Sequence, residues 1–120
     1  MKKYSIKQSK DSFKIYLGGK LLWKVKIYDD KIKISNNNEN SLPWQIKVKD
    51  GKAKLYDSDE VEKGRIHFDK GTVSVRNSEK KLLYTLKAEK LQAALGVFLI
   101  SEIPLDQKII IYSELRNMKK

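Results

Sequence analysis

The sequence predicts a mainly β, α+β domain in which an antiparallel meander of strand-pair repeats is followed by two helical segments. Three observations carry this prediction. Polar and apolar residues alternate in short runs, the runs recur about every 20 residues, and the alternation stops near residue 88. Alternation with a period of two is typical of a strand with one buried face. A fixed repeat indicates an array of similar supersecondary units.

The first strand of each unit is marked by alternating residues after a turn signal. The runs read KIKI at 31–34, KAKL at 52–55 and TVSV at 72–75. They follow an Asp-Asp pair at 29–30, Asp-Gly at 50–51 and Asp-Lys-Gly at 69–71. Asp and Gly at these places are typical of tight hairpin turns.

The second strand of each unit recurs with the same period. Trp23, Trp44, Gly64 and Tyr84 follow one another at intervals of 21, 20 and 20 residues. An earlier, partial unit extends the predicted β-repeats to residues 12–87. Eight or nine strands of this kind predict a meander, because each strand is close in sequence to the next. Both a partial and a closed barrel are compatible with this pattern.

The end of the chain has a different, helical composition. Residues 88–102 include LQAALGVFLI at 91–100, which does not alternate and is apolar on nearly every side. Such a segment is typical of a buried helix, which we expect to lie inside or across the sheet. In the amphipathic segment 104–117, apolar residues recur at helical spacing and favour a second short helix. The three isoleucines at 109–111 leave a strand as the alternative.

Length and composition predict one domain spanning residues 1–120. The chain has no cysteine, which excludes disulfides and thiolate metal sites. The basic start at 1–5 is not followed by an apolar run, so we expect no signal peptide. The apolar run at 91–100 is too short to cross a bilayer. These features predict a cytoplasmic protein without a transmembrane segment.

A search for catalytic, metal and cofactor motifs finds none. His67 is the only histidine, and it alternates with Ile66 and Phe68, so we expect its side chain to point outward. The acidic run at 57–60 lacks the glycine and the later glutamate of a calcium loop. The Gly-Gly-Lys at 18–20 lacks the rest of a phosphate-binding loop and predicts a hairpin turn instead. We therefore predict a protein that is not an enzyme and has no cofactor.

The same alternation that buries apolar residues places a second set of side chains on the outer face of the sheet. Lysines dominate this set, with tyrosines between them. The candidate residues for binding an anionic surface are Lys14, Tyr16, Lys24, Lys26, Tyr28, Lys31, Lys33, Lys47, Lys49, Lys52, Lys54 and Tyr56. Tyrosine suits a membrane interface because its ring is apolar and its hydroxyl is polar. The alternative is that these lysines only prevent strand edges from pairing with other chains.

The charge distribution indicates an anionic partner. The formal net charge is +11, with +9 in residues 1–54 and +2 in residues 55–120. The preferred hypothesis is a non-catalytic binding module that docks through its lysine-rich face to lipid headgroups, peripherally at a membrane. A protein-interaction or assembly subunit is the first alternative. A nucleic-acid-binding module ranks last, because the chain has only three arginines and no aromatic RNA signature.

The strand pairs from Trp23 to Leu86, followed by the apolar segment 91–100, resemble the tubby-like superfamily. That superfamily includes the LURP-one-related proteins and the phospholipid scramblases. Its members are antiparallel barrels of repeated strand pairs wrapped around a hydrophobic C-terminal helix. The resemblance covers most of the chain and implies this fold and, as in some members, binding to phosphoinositides or other lipids. It implies no site residues, because no phosphoinositide-binding motif matches here.

Overall fold

The computed structural model describes residues 3–39 and 41–118, which form a nine-stranded antiparallel sheet and two helical segments. The strands are β1 (Tyr4–Gln8), β2 (Ser12–Leu17), β3 (Lys20–Ile27), β4 (Lys31–Ser35), β5 (Trp44–Lys49), β6 (Lys52–Tyr56), β7 (Glu62–Asp69), β8 (Thr72–Asn77) and β9 (Leu82–Lys87). They lie side by side in sequence order, which confirms the predicted meander. β1 and β9 do not pair with each other, so the described sheet is open.

Strand β1 lies before the predicted repeats, which began at residue 12. Its residues after Tyr4 are all exposed, so no alternating burial accompanies it. The strand is held by antiparallel pairing with β2, from Tyr4 opposite Leu17 to Gln8 opposite Phe13. Sequence periodicity did not indicate β1 because this pairing uses the backbone and buries little side chain.

Three of the hairpin turns share one backbone geometry, which glycine adopts without strain at one or both central positions. Both central residues have a positive φ in Gly18–Gly19 (59° and 80°), in Asp50–Gly51 (50° and 76°) and in Lys70–Gly71 (48° and 79°). Positive φ at both positions is the geometry of type I′ turns, whose twist matches that of the flanking strands. The turn residues therefore fix the register of β2–β3, β5–β6 and β7–β8.

The hydrophobic segment predicted as a helix over 88–102 is helical over a shorter range. It forms a 3₁₀ helix at Ala93–Leu99, five of whose residues are buried. A Cβ added to Gly96 would lie 3.0 Å from Ile46 Cδ1, so the helix backbone packs directly on β5. Glycine disfavours a regular α-helix, and short pieces of chain commonly adopt 3₁₀ geometry. The predicted length was therefore wrong, whereas the buried helical segment is confirmed.

The C-terminal segment is the helix α1 (Leu105–Met118), so the strand alternative for 109–111 was wrong. Its buried face includes Ile111 and Leu115, which join the core of the sheet. Over the two ranges that the structure describes, neither helical segment is long and apolar enough to cross a membrane.

Hydrogen bonds tie α1 to the first strands of the sheet. The hydroxyl of Tyr4 on β1 donates to the carboxylate of Asp106. The indole N–H of Trp23 on β3 donates to the side-chain oxygen of Gln107 at 2.6 Å. Gln107 is buried, so this bond satisfies a polar group that would otherwise be costly to bury.

α1 also approaches the last strand, since Lys108 of α1 and Leu83 of β9 line one cavity. Burial raises the pKa of Tyr84 on β9, and the neighbouring charge of Tyr112 on α1 raises it further. The ring of Tyr112 also lies 5.2 Å, centroid to centroid, from that of Phe98 in the 3₁₀ helix. The sheet therefore curves so that its inner face covers the two helical segments, and its outer face is left to solvent.

Candidate anion-binding face

The lysines and tyrosines predicted to bind an anionic surface lie on the outer face of β2–β6 or in the turns beside it. Along β4, for example, Ile32 and Ile34 are buried in the core while Lys31 and Lys33 alternate with them. β6 repeats this pattern with buried residues between its lysines. The structure thus places the predicted residues on one face, and the register of the strands decides which of them come together.

Strand register aligns five cations in one line, which we call the basic row: Lys31, Lys47, Lys54, Arg65 and Arg76. Each lies directly opposite the next on the adjacent strand, from β4 to β8. Adjacent strands are about 4.8 Å apart. Like charges directly opposite each other destabilise a sheet by up to about 1 kcal/mol a pair. The basic row is therefore a strip of positive charge, in which Glu62 offsets the charge of Arg65 through an ion pair at 2.7 Å.

Two grooves follow the basic row across the outer face. The first has a volume of about 420 Å³ and is lined by Lys47, Lys49, Asp50, Lys52, Lys54 and Tyr56. The second has a volume of about 270 Å³ and is lined by Lys52, Arg65, His67, Ser74, Arg76 and Lys80. Lys52 lines both, so the grooves adjoin. Asp50 is the only acid among these lining residues.

Tyrosine rings hold lysine ammonium groups at the edge of this surface. The ammonium groups of Lys26, Lys31 and Lys33 lie 5.4, 5.2 and 5.3 Å from the centre of the Tyr28 ring. In the same way, the ammonium group of Lys47 lies 5.0 Å from the centre of the Tyr56 ring. Each contact is a cation–π interaction, which offsets part of the repulsion between the lysines.

Seven of the twelve predicted residues line neither groove: Lys14, Tyr16, Lys24, Lys26, Tyr28, Lys31 and Lys33. Lys14 and Lys24 face each other on β2 and β3, and Tyr16 lies further along β2. The ammonium of Lys24 donates to the backbone carbonyl of Asn38 at 2.9 Å, so it is already engaged within the fold. These residues extend the positive charge of the face but do not line the grooves.

Six groove residues were missed by the sequence analysis: Asp50, Arg65, His67, Ser74, Arg76 and Lys80. The outward direction of His67 was expected, but its place beside cations was not. The signal for the two arginines was present, since Arg65 follows Gly64 as Lys24 follows Trp23 in the repeat. Continuing the alternation beyond β6 would have placed both arginines on the outer face.

No metal-binding cluster accompanies these grooves: within residues 3–39 and 41–118, no three His, Cys, Asp or Glu side chains lie close enough to hold a metal ion. The acidic run at 57–60 forms a turn, in which Asp57 accepts hydrogen bonds from the backbone N–H groups of Asp59 and Val61. The hydrogen bond from Val61 lowers the pKa of Asp57 most. The bond from Asp59 and the nearby charge of Lys63 lower this pKa further. The run is therefore a structural turn.

Comparisons with protein-family models, with curated proteins and with solved structures find no match for this chain. The resemblance to the tubby-like superfamily stays a prediction.

Proposed function

We propose that this protein is a non-catalytic binding module that docks its outer sheet face to the anionic headgroups of a membrane, from the cytoplasmic side. The observation that supports the proposal is the basic row, with its two adjoining grooves. An anionic surface would neutralise the repulsion between its aligned cations, of which Arg65 is already paired with Glu62 within the fold. Each lysine or arginine near an anionic bilayer contributes about 1 kcal/mol of attraction.

The position of the basic row argues against a purely solubilising role for its lysines. Lysines that prevent aggregation are needed at the edges of a sheet, where unpaired backbone groups are exposed. The basic row instead crosses β4–β8, whose backbones are paired on both sides. The edge strand β9 exposes Leu82, Leu83 and Tyr84. The charge is therefore concentrated where edge protection does not require it.

The variant Lys47→Glu/Lys54→Glu tests this proposal. The two lysines are opposite each other in the middle of the basic row, and the new carboxylates would lie beside Lys31 and Arg65. We expect the variant to fold. Losing two lysines weakens binding to anionic vesicles by about thirtyfold, before any repulsion by the new carboxylates. Co-sedimentation with vesicles of phosphatidylserine and phosphatidylcholine measures this change.

Lys90→Glu/Arg116→Glu is the matched control. It alters the net charge by the same amount at the opposite side of the molecule, where both residues line a small cavity beside the helical segments. We expect this control to bind vesicles nearly as the unchanged protein does. Equal losses in the two variants would mean that only net charge matters, and would contradict the proposal. Stronger binding of the unchanged protein to nucleic acid than to vesicles would contradict it as well.

A protein-interaction module is the second candidate, favoured by the exposed edge of β9. Leu82 and Leu83 are 45% and 46% exposed, and an edge strand can add a strand from a partner. Such an interface would depend little on salt, whereas docking to headgroups must weaken as salt rises. Measuring binding at low and near-physiological salt therefore separates the two candidates.

A further inference from the structure

The two arginines of the basic row form a cross-strand pair. Arg65 on β7 lies directly opposite Arg76 on β8, and both line the second groove. They are two of the three arginines in a chain with 23 lysines. A guanidinium offers a planar fork of N–H donors that matches the oxygens of a phosphate group, whereas an ammonium acts as a point charge.

Hydrogen bonds within the fold orient both guanidinium groups. Arg65 donates from Nε at 2.8 Å and from Nη2 at 2.7 Å to Oε2 of Glu62. Arg76 donates from Nη1 to the backbone carbonyl of Lys80 at 3.1 Å. Each guanidinium has five N–H donors, so most donors of the pair stay available for a ligand. Side chains held in this way lose little freedom when they bind.

The remaining walls of the second groove suit a compact, doubly charged anion. Lys52, His67 and Lys80 add further nitrogen donors, and Ser74 adds a hydroxyl. A phosphomonoester carries nearly two negative charges and three terminal oxygens at neutral pH. A phosphodiester or a carboxylate carries one charge and two free oxygens. The donors around the arginine pair therefore favour the phosphomonoester.

An apolar neighbour indicates that this phosphate belongs to a lipid. Leu82 on the edge strand β9 lies directly opposite Arg76, at the end of the basic row. Leu82 is 45% exposed, whereas Leu83 lines a separate cavity with Phe98 and Leu99 and is not part of this site. A soluble phosphate ester would make no favourable contact with an exposed leucine beside its site. A headgroup at a bilayer surface, in contrast, lies immediately above apolar chains into which leucine can insert.

We propose that the Arg65–Arg76 pair is a selective subsite for the phosphomonoester headgroup of a membrane lipid such as phosphatidic acid. This inference rests on the proposed function and names the headgroup that the outer face recognises. The rest of the basic row supplies attraction to any anionic membrane, and the arginine pair supplies the preference among anionic lipids.

The test compares vesicles containing phosphatidic acid with vesicles containing phosphatidylserine, matched for surface charge, in co-sedimentation with the full chain at pH 7.4. We expect the unchanged protein to partition about tenfold more strongly to phosphatidic acid. Arg65→Lys/Arg76→Lys keeps the charge and removes both forks. This variant should lose the preference while its binding to phosphatidylserine is unchanged. Arg116→Lys, an arginine-to-lysine change on α1 outside the groove, should keep it.

The possible results separate the two levels of the proposal. Equal partitioning of the unchanged protein to both lipids overturns the subsite but leaves docking to anionic membranes intact, and this result requires no variant. A preference that survives in Arg65→Lys/Arg76→Lys also overturns the subsite. Absence of binding to either vesicle overturns the proposed function itself. The last measurement is calorimetry with soluble glycerol 3-phosphate. If the protein binds this ester as tightly as it binds the vesicles, the ligand is a soluble phosphate ester and the proposal of a lipid headgroup is overturned.

Discussion

At the scale of residues, one polar position recurs in three successive repeats. Asn37, Asp57 and Asn77 lie 20 residues apart, each within two residues of the end of an even-numbered strand, β4, β6 or β8. Each side-chain oxygen accepts a hydrogen bond, at 2.9 to 3.0 Å, from the backbone N–H four residues later. Asn and Asp both suit this role because their short side chains reach the backbone of their own turn.

We expect Asp57→Asn to weaken the dependence of stability on pH in acid. Hydrogen bonds and Lys63 lower the pKa of Asp57 in the folded state, although slight burial opposes them. A lowered pKa stabilises the fold above the ordinary carboxyl pKa, and this stabilisation is lost as pH falls through the folded value. Asparagine serves the same turn in the neighbouring repeats but does not titrate. Urea unfolding at pH 5 and pH 3 measures the difference.

Asp59→Asn is the control for this prediction. Within the described part of the chain, its carboxylate accepts no hydrogen bond, although it lies in the same turn as Asp57. We expect its unfolding free energy at pH 5 to stay close to that of the unchanged protein, because the substitution removes no hydrogen bond from the turn. The assignment of the acid-sensitive stability to Asp57 would be wrong if the two variants behaved alike.

At the scale of elements, the packing of the 3₁₀ helix explains a break in the repeat. The position occupied by Trp23, Trp44 and Tyr84 is a glycine in the third repeat. A Cβ added to Gly64 would lie 2.7 Å from a side-chain atom of Leu99, at the end of the 3₁₀ helix, and 2.8 Å from a backbone carbonyl of β8. Leu99 thus occupies the space that an aromatic side chain fills in the other repeats.

We expect Gly64→Ala to destabilise the protein by about 1–3 kcal/mol, because the new methyl meets backbone as well as side chain. Gly96→Ala is the comparison, since its methyl would meet the end of the Ile46 side chain at 3.0 Å, which can rotate away. Its cost should be smaller. Chemical denaturation of both variants measures the difference, and an equal or smaller loss in Gly64→Ala would show that this contact is not tight.

At the scale of the whole molecule, α1 completes the core that an open sheet leaves incomplete. The helix contributes Ile111 and Leu115 to the single cluster of buried residues that spans the strands. Its side chains hydrogen-bond to β1 and β3, and Lys108 lines a cavity together with Leu83 of β9, so α1 reaches both ends of the curved sheet. The sheet therefore does not need to close on itself to bury its apolar face.

We expect Ile111→Ala to lower the free energy of unfolding by about 2–5 kcal/mol, because its side chain is fully buried. Ile109→Ala, on the same helix, removes the same atoms from a residue that is 50% exposed and should change stability by less than about 0.5 kcal/mol. Thermal unfolding followed by circular dichroism compares them. Equal effects would contradict the placement of α1 on the core.

The sequence by itself determined the repeated strands, the tight turns, the meander and the outward direction of the lysines. These features depend on neighbours only a few residues apart, and alternation with a period of two is read directly from such neighbours. The same local signal predicted the buried helical segment but overestimated its length. It also places both arginines on the outer face when it is followed beyond β6, but it does not pair them with each other.

Only the tertiary structure decided which charges stand side by side, where α1 lies and why the repeat contains a glycine. The basic row depends on the register of five strands, from Lys31 on β4 to Arg76 on β8. The glycine depends on a contact between Gly64 and Leu99, 35 residues later. Contacts over such separations are set by the packing of the whole core, which a local pattern of residues does not specify.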